Sequence, residues 1–544
     1  MRPNIILIMS DQHNPHVMGC EGNRVVRTLN LDALAKGGVR FTSAYCPSPL
    51  CVPSRAGFMT AKYPSRVECY DNGGILSPEA PTFAHALSRA GYETVLCGRM
   101  HFEGEDQFHG FEKRLAGDCM HWLTDETRGV RPNSLDGQTA PAVAISGYGR
   151  TGYEAYDEFV TQKACEFLSS CRGGPMCPPS SPFERQEAKQ KEGPHMGGPL
   201  QEKQENRSFC LVVGTMLPHN PLIARKDLFE YYLARVTCEL PSEDELRRMH
   251  PAIRVWRERR GVDELTPEQH RRALAAYCAL VTEMDENVGR IVAAARAADP
   301  DAVVIYTSDH GDMASEHGMW WKSCFFEGSA RVPLIISRAD IPVCHSVRTD
   351  RNVCPTRKDG GADIPVCPRA VDAVVSLLDL GPTLIDLAGG EPMSDVDGRS
   401  LVPFLEGTPP ADWPSETFSE YGGAHGDPPS CMVRSGEWKR MYYSEFDPFD
   451  GPDPSGPLRA GSCLLFNLRE DPREQRDRAG DPACREVVER LRAKILSRWS
   501  AKAVSDGMER QRLARLCGPK PGWPAAWESP APEDNAFDRS QLPG

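Results

Sequence analysis

The sequence contains no apolar run that approaches the ~20 residues needed to cross a bilayer as a helix, which excludes a membrane-spanning helical protein. It also lacks an excess of positive charge. Its 63 Lys and Arg residues are outnumbered by 76 Asp and Glu residues, and the net charge of -13 argues against a general nucleic-acid binder. The 20 Cys residues form no C-x-x-C pair and are scattered along a long chain, unlike the disulfide framework of a small secreted domain. We therefore expect neither nucleic acid nor a membrane among the partners.

The first residues lack the features of an export signal. Residues 1–4 lead directly into the apolar residues 5–9, without a basic leader, a separate apolar segment or a small-residue cleavage site. We therefore expect a cytoplasmic protein.

The order of apolar patterns predicts an α/β fold. Apolar runs alternate with segments of helical periodicity, which is typical of a mostly parallel central sheet sandwiched by helices. Four predicted strands end in polar or ionisable residues, and these strand ends carry Asp11 with Gln12, Arg99 with His101, His219, and Asp309 with His310. Because ligands of open α/β sheets bind at the carboxyl ends of the strands, this recurrence predicts an active site at that edge.

Composition divides the chain of 544 residues into three parts. We predict a catalytic α/β domain over residues 1–410, a smaller C-terminal α+β subdomain over residues 411–518 and a Pro-rich tail over residues 519–544. Two stretches of the catalytic domain, residues 171–207 and 339–368, have little apolar periodicity and are predicted to be disordered insertions. The second stretch contains one six-residue sequence twice.

One short segment carries the chemistry that the strand ends alone do not specify. Cys51-Val52-Pro53-Ser54-Arg55 begins a predicted helix, with Pro53 in its favoured first turn. Cys51 and Arg55 are four residues apart and share a helix face. Free N–H groups of the first turn together with a guanidinium suit a tetrahedral oxyanion. From composition alone, an ordinary buried thiol is the preferred reading of Cys51.

This segment resembles the signature of the type I sulfatases, which belong to the alkaline phosphatase superfamily. Its C-x-P-S-R pattern, continued by residues 60–64, is the recognition sequence for oxidation of the Cys to formylglycine. Residues 4–11 resemble the first strand of the family with its metal-binding Asp, and residues 307–312 resemble the second metal motif. Trp321-Lys322 resembles the segment with the sulfate-binding Lys. The resemblance implies an alkaline-phosphatase-like fold and hydrolysis of a sulfate ester to an alcohol and inorganic sulfate.

The resemblance also implies a metal site and a maturation step. It assigns one divalent ion to five residues, namely Asp11, Gln12, Cys51, Asp309 and His310. Hard oxygen ligands favour Ca²⁺, with Mg²⁺ as an alternative, and the His310 nitrogen leaves Mn²⁺ open. A formylglycine-generating enzyme would oxidise Cys51. The substrate would be a small-molecule or carbohydrate sulfate ester.

The resemblance assigns roles to the remaining polar residues. Arg55 would hold the formylglycine diol and the sulfate, and Lys322 would bind a sulfate oxygen. His101 would contact the second hydroxyl of the diol, and His219 would deliver the proton to the departing alcohol. Arg99 occupies a position where the family usually has Lys in a G-K-x-H motif. Because Arg is planar and bulkier than Lys, it is predicted to reshape the leaving-group side of the site.

Two pairs of residues resemble particular subgroups of the superfamily. Asp11-Gln12 and Asp309-His310 occur in choline-sulfatase-like enzymes and in the related phosphonate monoester hydrolases. The sequence is closer in character to the former. A phosphonate monoester or phosphodiester hydrolase on the same metal site is the main alternative, and a non-catalytic anion-binding protein is a third reading.

Overall fold

The computed structural model describes residues 2–119, 137–171, 207–338, 369–423, 426–444 and 463–517. The predicted insertion 339–368 and the predicted tail 519–544 lie outside the described residues, as does the predicted insertion 171–207 except for its two end residues. The domain limits given above remain predictions. No helix within the described segments is long and apolar enough to cross a membrane.

The structure contains strands and helices in alternation. The strands are β1 (Ile5–Asp11), β2 (Gly38–Tyr45), β3 (Glu93–Gly98), β4 (Lys113–Ala116), β5 (Gly147–Tyr148), β6 (Phe209–Pro218), β7 (Ile223–Ala224), β8 (Val303–Ser308), β9 (Leu334–Ser337), β10 (Ala370–Ser376), β11 (Glu416–Tyr421), β12 (Ser430–Ser435), β13 (Trp438–Tyr443) and β14 (Cys463–Asn467). The α-helices are α1 (Leu29–Lys36), α2 (Cys51–Thr60), α3 (Phe83–Arg89), α4 (Ala140–Ala144), α5 (Gly152–Ser170), α6 (Lys226–Leu233), α7 (Glu243–Arg248), α8 (Pro251–Arg260), α9 (Pro267–Ala298), α10 (Glu327–Ala330), α11 (Leu380–Leu387), α12 (Val402–Glu406), α13 (Arg485–Leu496) and α14 (Ala501–Cys517).

Eight strands form the central sheet in the order β10-β2-β9-β8-β1-β6-β3-β4. All neighbours are parallel except β9, which runs antiparallel to both β2 and β8. Helices α1, α5 and α6 pack on the long helix α9, whereas α2, α3 and α11 pack on one another. This arrangement confirms the predicted sheet with helices on its faces.

The central strand β1 shows why the sequence folds this way. Ile5, Ile6, Leu7, Ile8 and Met9 are fully buried between β6 and β8. A strand covered on both faces needs an uninterrupted apolar run, which is what this segment supplies. The run stops at Asp11, so the first charged residue stands at the carboxyl end of the strand.

The C-terminal part forms a separate antiparallel sheet, in the order β11-β12-β13-β14, with α13 packed on β12 and β13. Both strands and helices occur in this part of the chain, as an α+β composition requires. Lys439 of β13 is fully buried, with its Nζ 2.8 Å from Glu327 Oε1 and 2.8 Å from Glu474 Oε1. We call Glu327, Lys439 and Glu474 the Lys439 cluster.

Candidate active site

The site lies where four neighbouring strands of the central sheet end. In the order β8-β1-β6-β3, each strand delivers its following residues to the same edge. Met9 pairs with Thr307 and Ser10 with Ser308, so the residues that follow, Asp11 and Asp309, stand side by side. Both carboxylates are fully buried. The sheet register therefore explains why two distant sequence motifs form one site.

Four potential metal ligands converge at this edge. Among the residues that the structure describes, Asp11, Cys51, Asp309 and His310 offer ligand atoms that all lie within 4.8 Å of one another. His310 Nε2 lies 3.2 Å from Cys51 Sγ and 3.7 Å from an oxygen of each carboxylate. Two carboxylates and an imidazole match the donors that divalent cations prefer.

The ring of His310 is already oriented for ligation. Its Nδ1 lies 3.0 Å from the backbone oxygen of Gly311. Since a carbonyl oxygen only accepts hydrogen bonds, Nδ1 carries a proton, and Nε2 is the nitrogen that faces the two carboxylates. A divalent ion at this position would take the place of a proton on Nε2, so the donor set of the chain fits such an ion.

Cys51 is the first residue of α2 and is buried at 1% exposure. Its Sγ lies 3.0 Å from Lys322 Nζ and 3.8 Å from Asp11 Oδ1. Burial and the Asp11 carboxylate raise the pKa of the thiol, but Lys322, His310 and a hydrogen bond with His101 outweigh them, so that this pKa lies well below its ordinary value. The surroundings of Cys51 therefore stabilise negative charge on residue 51.

Arg55 lies one turn along α2, on the same face as Cys51. Its Nε donates to Asp309 Oδ2 at 2.9 Å, and its Nη2 donates to Asp11 Oδ2 at 3.2 Å. The guanidinium thus ties the two strand ends together. Burial raises the pKa of Asp11, but the cations around it, led by Arg99 and Lys322, keep this pKa well below its usual range.

Lys322 reaches the site from the segment after β8. Besides Cys51 Sγ, its Nζ donates to Gln12 Oε1 at 2.8 Å. The Gln12 amide in turn donates to Asn220 Oδ1 at 3.4 Å and to Asp312. Gln12 has a left-handed backbone with a φ of 72°, a conformation that non-glycine residues rarely adopt. Its oxygen faces Lys322, and its role as a metal ligand remains a prediction.

Arg99 follows β3 and bridges three side chains. Its Nε donates to Asp11 Oδ2 at 2.7 Å, its Nη2 lies 2.8 Å from His101 Nδ1, and its Nη1 lies 3.3 Å from Asp118 Oδ1. The backbone N–H of His101 also donates to Asp118, to Oδ2 at 2.7 Å. The structure therefore joins Arg99 and His101 to Asp11, one of the four potential metal ligands.

His219 follows β6 and completes the set. Its Nδ1 lies 2.6 Å from the backbone oxygen of Asn220. Burial and the nearby Lys322 lower its pKa to about 3, so the ring is neutral in this arrangement. Asp157 of α5 accepts the backbone N–H groups of Met216 and Leu217 and so fixes the segment that leads to His219.

The structure thus brings all ten predicted site residues to one edge of the sheet. Sequence reasoning missed the residues that support them, Asp118, Asp157, Asn220 and Asp312. Asp118 lies two residues beyond β4 and so, like the predicted site residues of β1, β3, β6 and β8, follows the carboxyl end of a strand. Because β4 has only four residues and no clear apolar alternation, the sequence does not predict the strand that Asp118 follows.

Comparison with known proteins identifies the family. The Sulfatase family pattern matches residues 3–176 and 198–390, and the pattern of the N-sulphoglucosamine sulphohydrolase C-terminal domain matches residues 366–501. The chain is 33% identical over 505 residues to a choline-sulfatase of Rhizobium meliloti (strain 1021), covering 89% of this chain and 86% of that protein. It is 26% identical over 521 residues to an N-acetylglucosamine-6-O-sulfatase of Bacteroides thetaiotaomicron, covering 87% and 82%.

Solved structures share the fold at lower identity. A phosphonate monoester hydrolase of Agrobacterium radiobacter superposes with a TM-score of 0.64 at 22% identity, covering 91% of this chain and 95% of that one. A putative sulfatase from Bacteroides thetaiotaomicron superposes with a TM-score of 0.64 at 21% identity, covering 97% and 99%. Together with the sequence matches, these findings show that the chain belongs to the sulfatase family and is a sulfuric ester hydrolase, as the sequence predicts.

Proposed function

We propose that the enzyme cleaves a small-molecule or carbohydrate sulfate ester by using formylglycine made from Cys51. One observation carries this proposal. The Sγ of the Cys in a C-x-P-S-R segment lies among the potential ligands Asp11, Asp309 and His310, and 3.0 Å from Lys322. A nucleophile for sulfur needs such a place, because the anionic oxygens of the ester must be neutralised while attack occurs.

In this reaction the residues at the strand ends have separate roles. Asp11, Asp309, His310 and residue 51 would hold a divalent cation, which when bound supplies positive charge to the sulfate oxygens. Formylglycine at residue 51 would supply a geminal diol, of which one hydroxyl would displace the alcohol from sulfur and the other would release sulfate and restore the aldehyde. Lys322 binds a sulfate oxygen, and Arg55 holds the carboxylates and the diol in register.

Proton delivery to the departing alcohol falls to His219. Its neutral ring donates from Nδ1 to the oxygen of Asn220, so the proton for the substrate must be carried on Nε2. An anionic sulfate entering the site would raise the pKa of the ring and favour that protonation. His219 therefore acts only when substrate is bound.

The metal, the maturation partner and the cellular location complete the proposal. Buried carboxylates favour Ca²⁺ or, as an alternative, Mg²⁺, and the nitrogen of His310 adds Mn²⁺ to the ions to test by metal analysis. A formylglycine-generating enzyme is the proposed maturation partner. The cytoplasmic location stays a prediction, which cell fractionation tests.

A phosphonate monoester or phosphodiester hydrolase is the second candidate. Gln12 and His310, which occupy the two positions next to the metal-binding carboxylates, support it, as both residue types are shared with such enzymes. A tetrahedral phosphoryl group suits the same cluster of cations and ligands.

The test compares three substrates on one preparation of matured enzyme. We expect kcat/KM for an aryl sulfate to exceed those for an aryl phosphonate monoester and a phosphate diester. Cys51→Ala should abolish all three activities while the circular dichroism spectrum stays unchanged. A faster phosphonate reaction would favour the second candidate, and an active Cys51→Ala variant would contradict the nucleophile.

A further inference from the structure

All three nitrogens of the Arg99 guanidinium contact protein groups. Its five N–H groups lie in one plane and point in fixed directions. Nε reaches Asp11, Nη2 reaches His101 Nδ1, and Nη1 reaches both Asp118 Oδ1 and Cys119 Sγ at 3.3 Å. At 3% exposure, Arg99 has no room to turn toward solvent. Each guanidinium nitrogen is therefore held by at least one protein group.

These contacts decide which nitrogen of His101 carries the proton. Arg has donors and no acceptor and does not lose its proton in proteins. At 2.8 Å from Arg99 Nη2, His101 Nδ1 must therefore accept. A ring whose Nδ1 accepts is neutral and has its proton on Nε2. Nε2 is the nitrogen that remains for Cys51 and for Glu103, whose Oε1 lies 3.6 Å away.

Asp118 holds the other end of the same residue. One of its oxygens receives Arg99 Nη1, and the other accepts the backbone N–H of His101 at 2.7 Å. The backbone of His101 is left-handed, with a φ of 56°, which a non-glycine residue keeps only when its surroundings impose it. Arg99 and Asp118 thus fix the ring and the backbone of His101 together.

A Lys at position 99 could not make these contacts. Its donors all sit on a single nitrogen, which cannot reach Asp11, His101 Nδ1 and Asp118 from one position. The Arg found here in place of the usual Lys therefore supplies positive charge and also holds the relative positions of Asp11, His101 and Asp118.

We propose that Arg99 and Asp118 form one positioning unit that fixes His101 as the Nε2–H tautomer, so that His101 donates a hydrogen bond to residue 51 and does not serve as its base. The tautomer follows from the contacts alone. Its consequence for turnover rests on the proposed function, in which residue 51 is the nucleophile. His219 is held in the opposite tautomer, with Nδ1 donating to the Asn220 oxygen, and so provides an internal reference.

The first test reads the tautomer directly by ¹⁵N NMR of protein labelled at its His side chains, with His101 assigned by its loss in His101→Gln. We expect the wild-type ring to be protonated on Nε2. Arg99→Lys should shift the His101 signals toward a mixture of tautomers while the His219 signals stay fixed. A wild-type His101 protonated on Nδ1, or His101 signals unchanged in Arg99→Lys, would overturn the proposal.

The second test asks whether Arg99 and Asp118 act as a unit. We expect Arg99→Lys to lower kcat about 10–100-fold with little change in KM and in bound metal. Asp118→Asn should cost a similar factor in the wild-type enzyme and much less in the Arg99→Lys variant, since removing either partner breaks the unit. Equal costs in both backgrounds would contradict the proposal.

Matched controls separate a positioning role from general stability. Arg114 is another buried Arg beside β3, where it donates to Gln107 and to the oxygen of Gly98. Arg114→Lys should lower stability without altering the His101 signals. Because the NMR test needs neither matured residue 51 nor turnover, a confirmed tautomer in an inactive matured enzyme would contradict the proposed function alone.

Discussion

Two places where the molecule buries charged side chains invite comparison: the active site at the carboxyl ends of β1 and β8, and the Lys439 cluster where the C-terminal sheet meets the main body. In the Lys439 cluster a single ammonium lies between two carboxylates at 2.8 Å each. In the active site, Asp11 also contacts cations, yet its Oδ1 converges with Cys51 Sγ and with His310 Nε2. Burial is common to both places. The convergence of potential ligand atoms distinguishes the active site from the Lys439 cluster.

The difference has an energetic reason. A buried ion pair barely offsets the cost of taking its charges out of water, and removing one partner is strongly destabilising. The Lys439 cluster already has its counter-charges and fixes the position of the C-terminal sheet. The active site instead brings together donor atoms for which a bound cation would be the common partner.

The largest expected effect comes from removing a metal ligand. Asp309→Asn should lower kcat/KM for a sulfate ester by about 10³-fold or more, because charge neutralisation at the sulfate is lost. Bound metal, measured by elemental analysis of the purified protein, should fall in parallel. Full metal content with full activity would contradict the assignment of Asp309.

The matching change in the Lys439 cluster should affect stability instead. Lys439→Met leaves Glu327 and Glu474 without their shared cation and should lower the free energy of unfolding by about 3–5 kcal/mol in urea titrations. The rate per folded molecule should stay unchanged. Lys502→Met is the control, since Lys502 is 83% exposed in its pair with Asp506 and should unfold like the wild type. A large loss of activity in folded Lys439→Met would contradict a purely structural role of the Lys439 cluster.

A chelator should destabilise the protein through the active site and not through the Lys439 cluster. A divalent ion at 100 times its Kd stabilises the folded state by about 2.7 kcal/mol, so a chelator should lower the Tm of the wild type and of Lys439→Met alike. Asp309→Asn should show little response. A chelator-induced shift of equal size in Asp309→Asn would place the stabilising ion elsewhere.

The smallest expected effect is a pH dependence of the Lys439 cluster. Burial raises the pKa of Glu474 to about 7 from an ordinary value of 4.5. The folded state therefore binds its proton more tightly than the unfolded state, and this stabilisation is present below pH 4.5 and is lost as pH rises through about 7. Glu474→Gln should remove that dependence from urea titrations between about pH 5 and 8. An unchanged slope would show that Glu474 stays ionised in the fold.

Some parts of the fold and of the candidate site can be predicted from short stretches of sequence, and others cannot. The apolar run before Asp11 predicts β1, and the C-x-P-S-R segment predicts the start of α2, because each depends on neighbouring residues only. Lys439 meets Glu327 across 112 positions, and Asp118 meets Arg99 from a four-residue strand at the sheet edge. Such pairs depend on the packing of whole elements, which spacing rules do not describe.

The most direct test of the central claim is the mass of the tryptic peptide of residues 41–55 after co-expression with a formylglycine-generating enzyme. We predict that Cys51 loses its sulfur and two hydrogens and gains one oxygen. Cys46 in the same peptide should remain a thiol, which fragment ions can show. An unmodified Cys51 in folded protein, obtained with an enzyme that converts a reference sulfatase, would contradict the account.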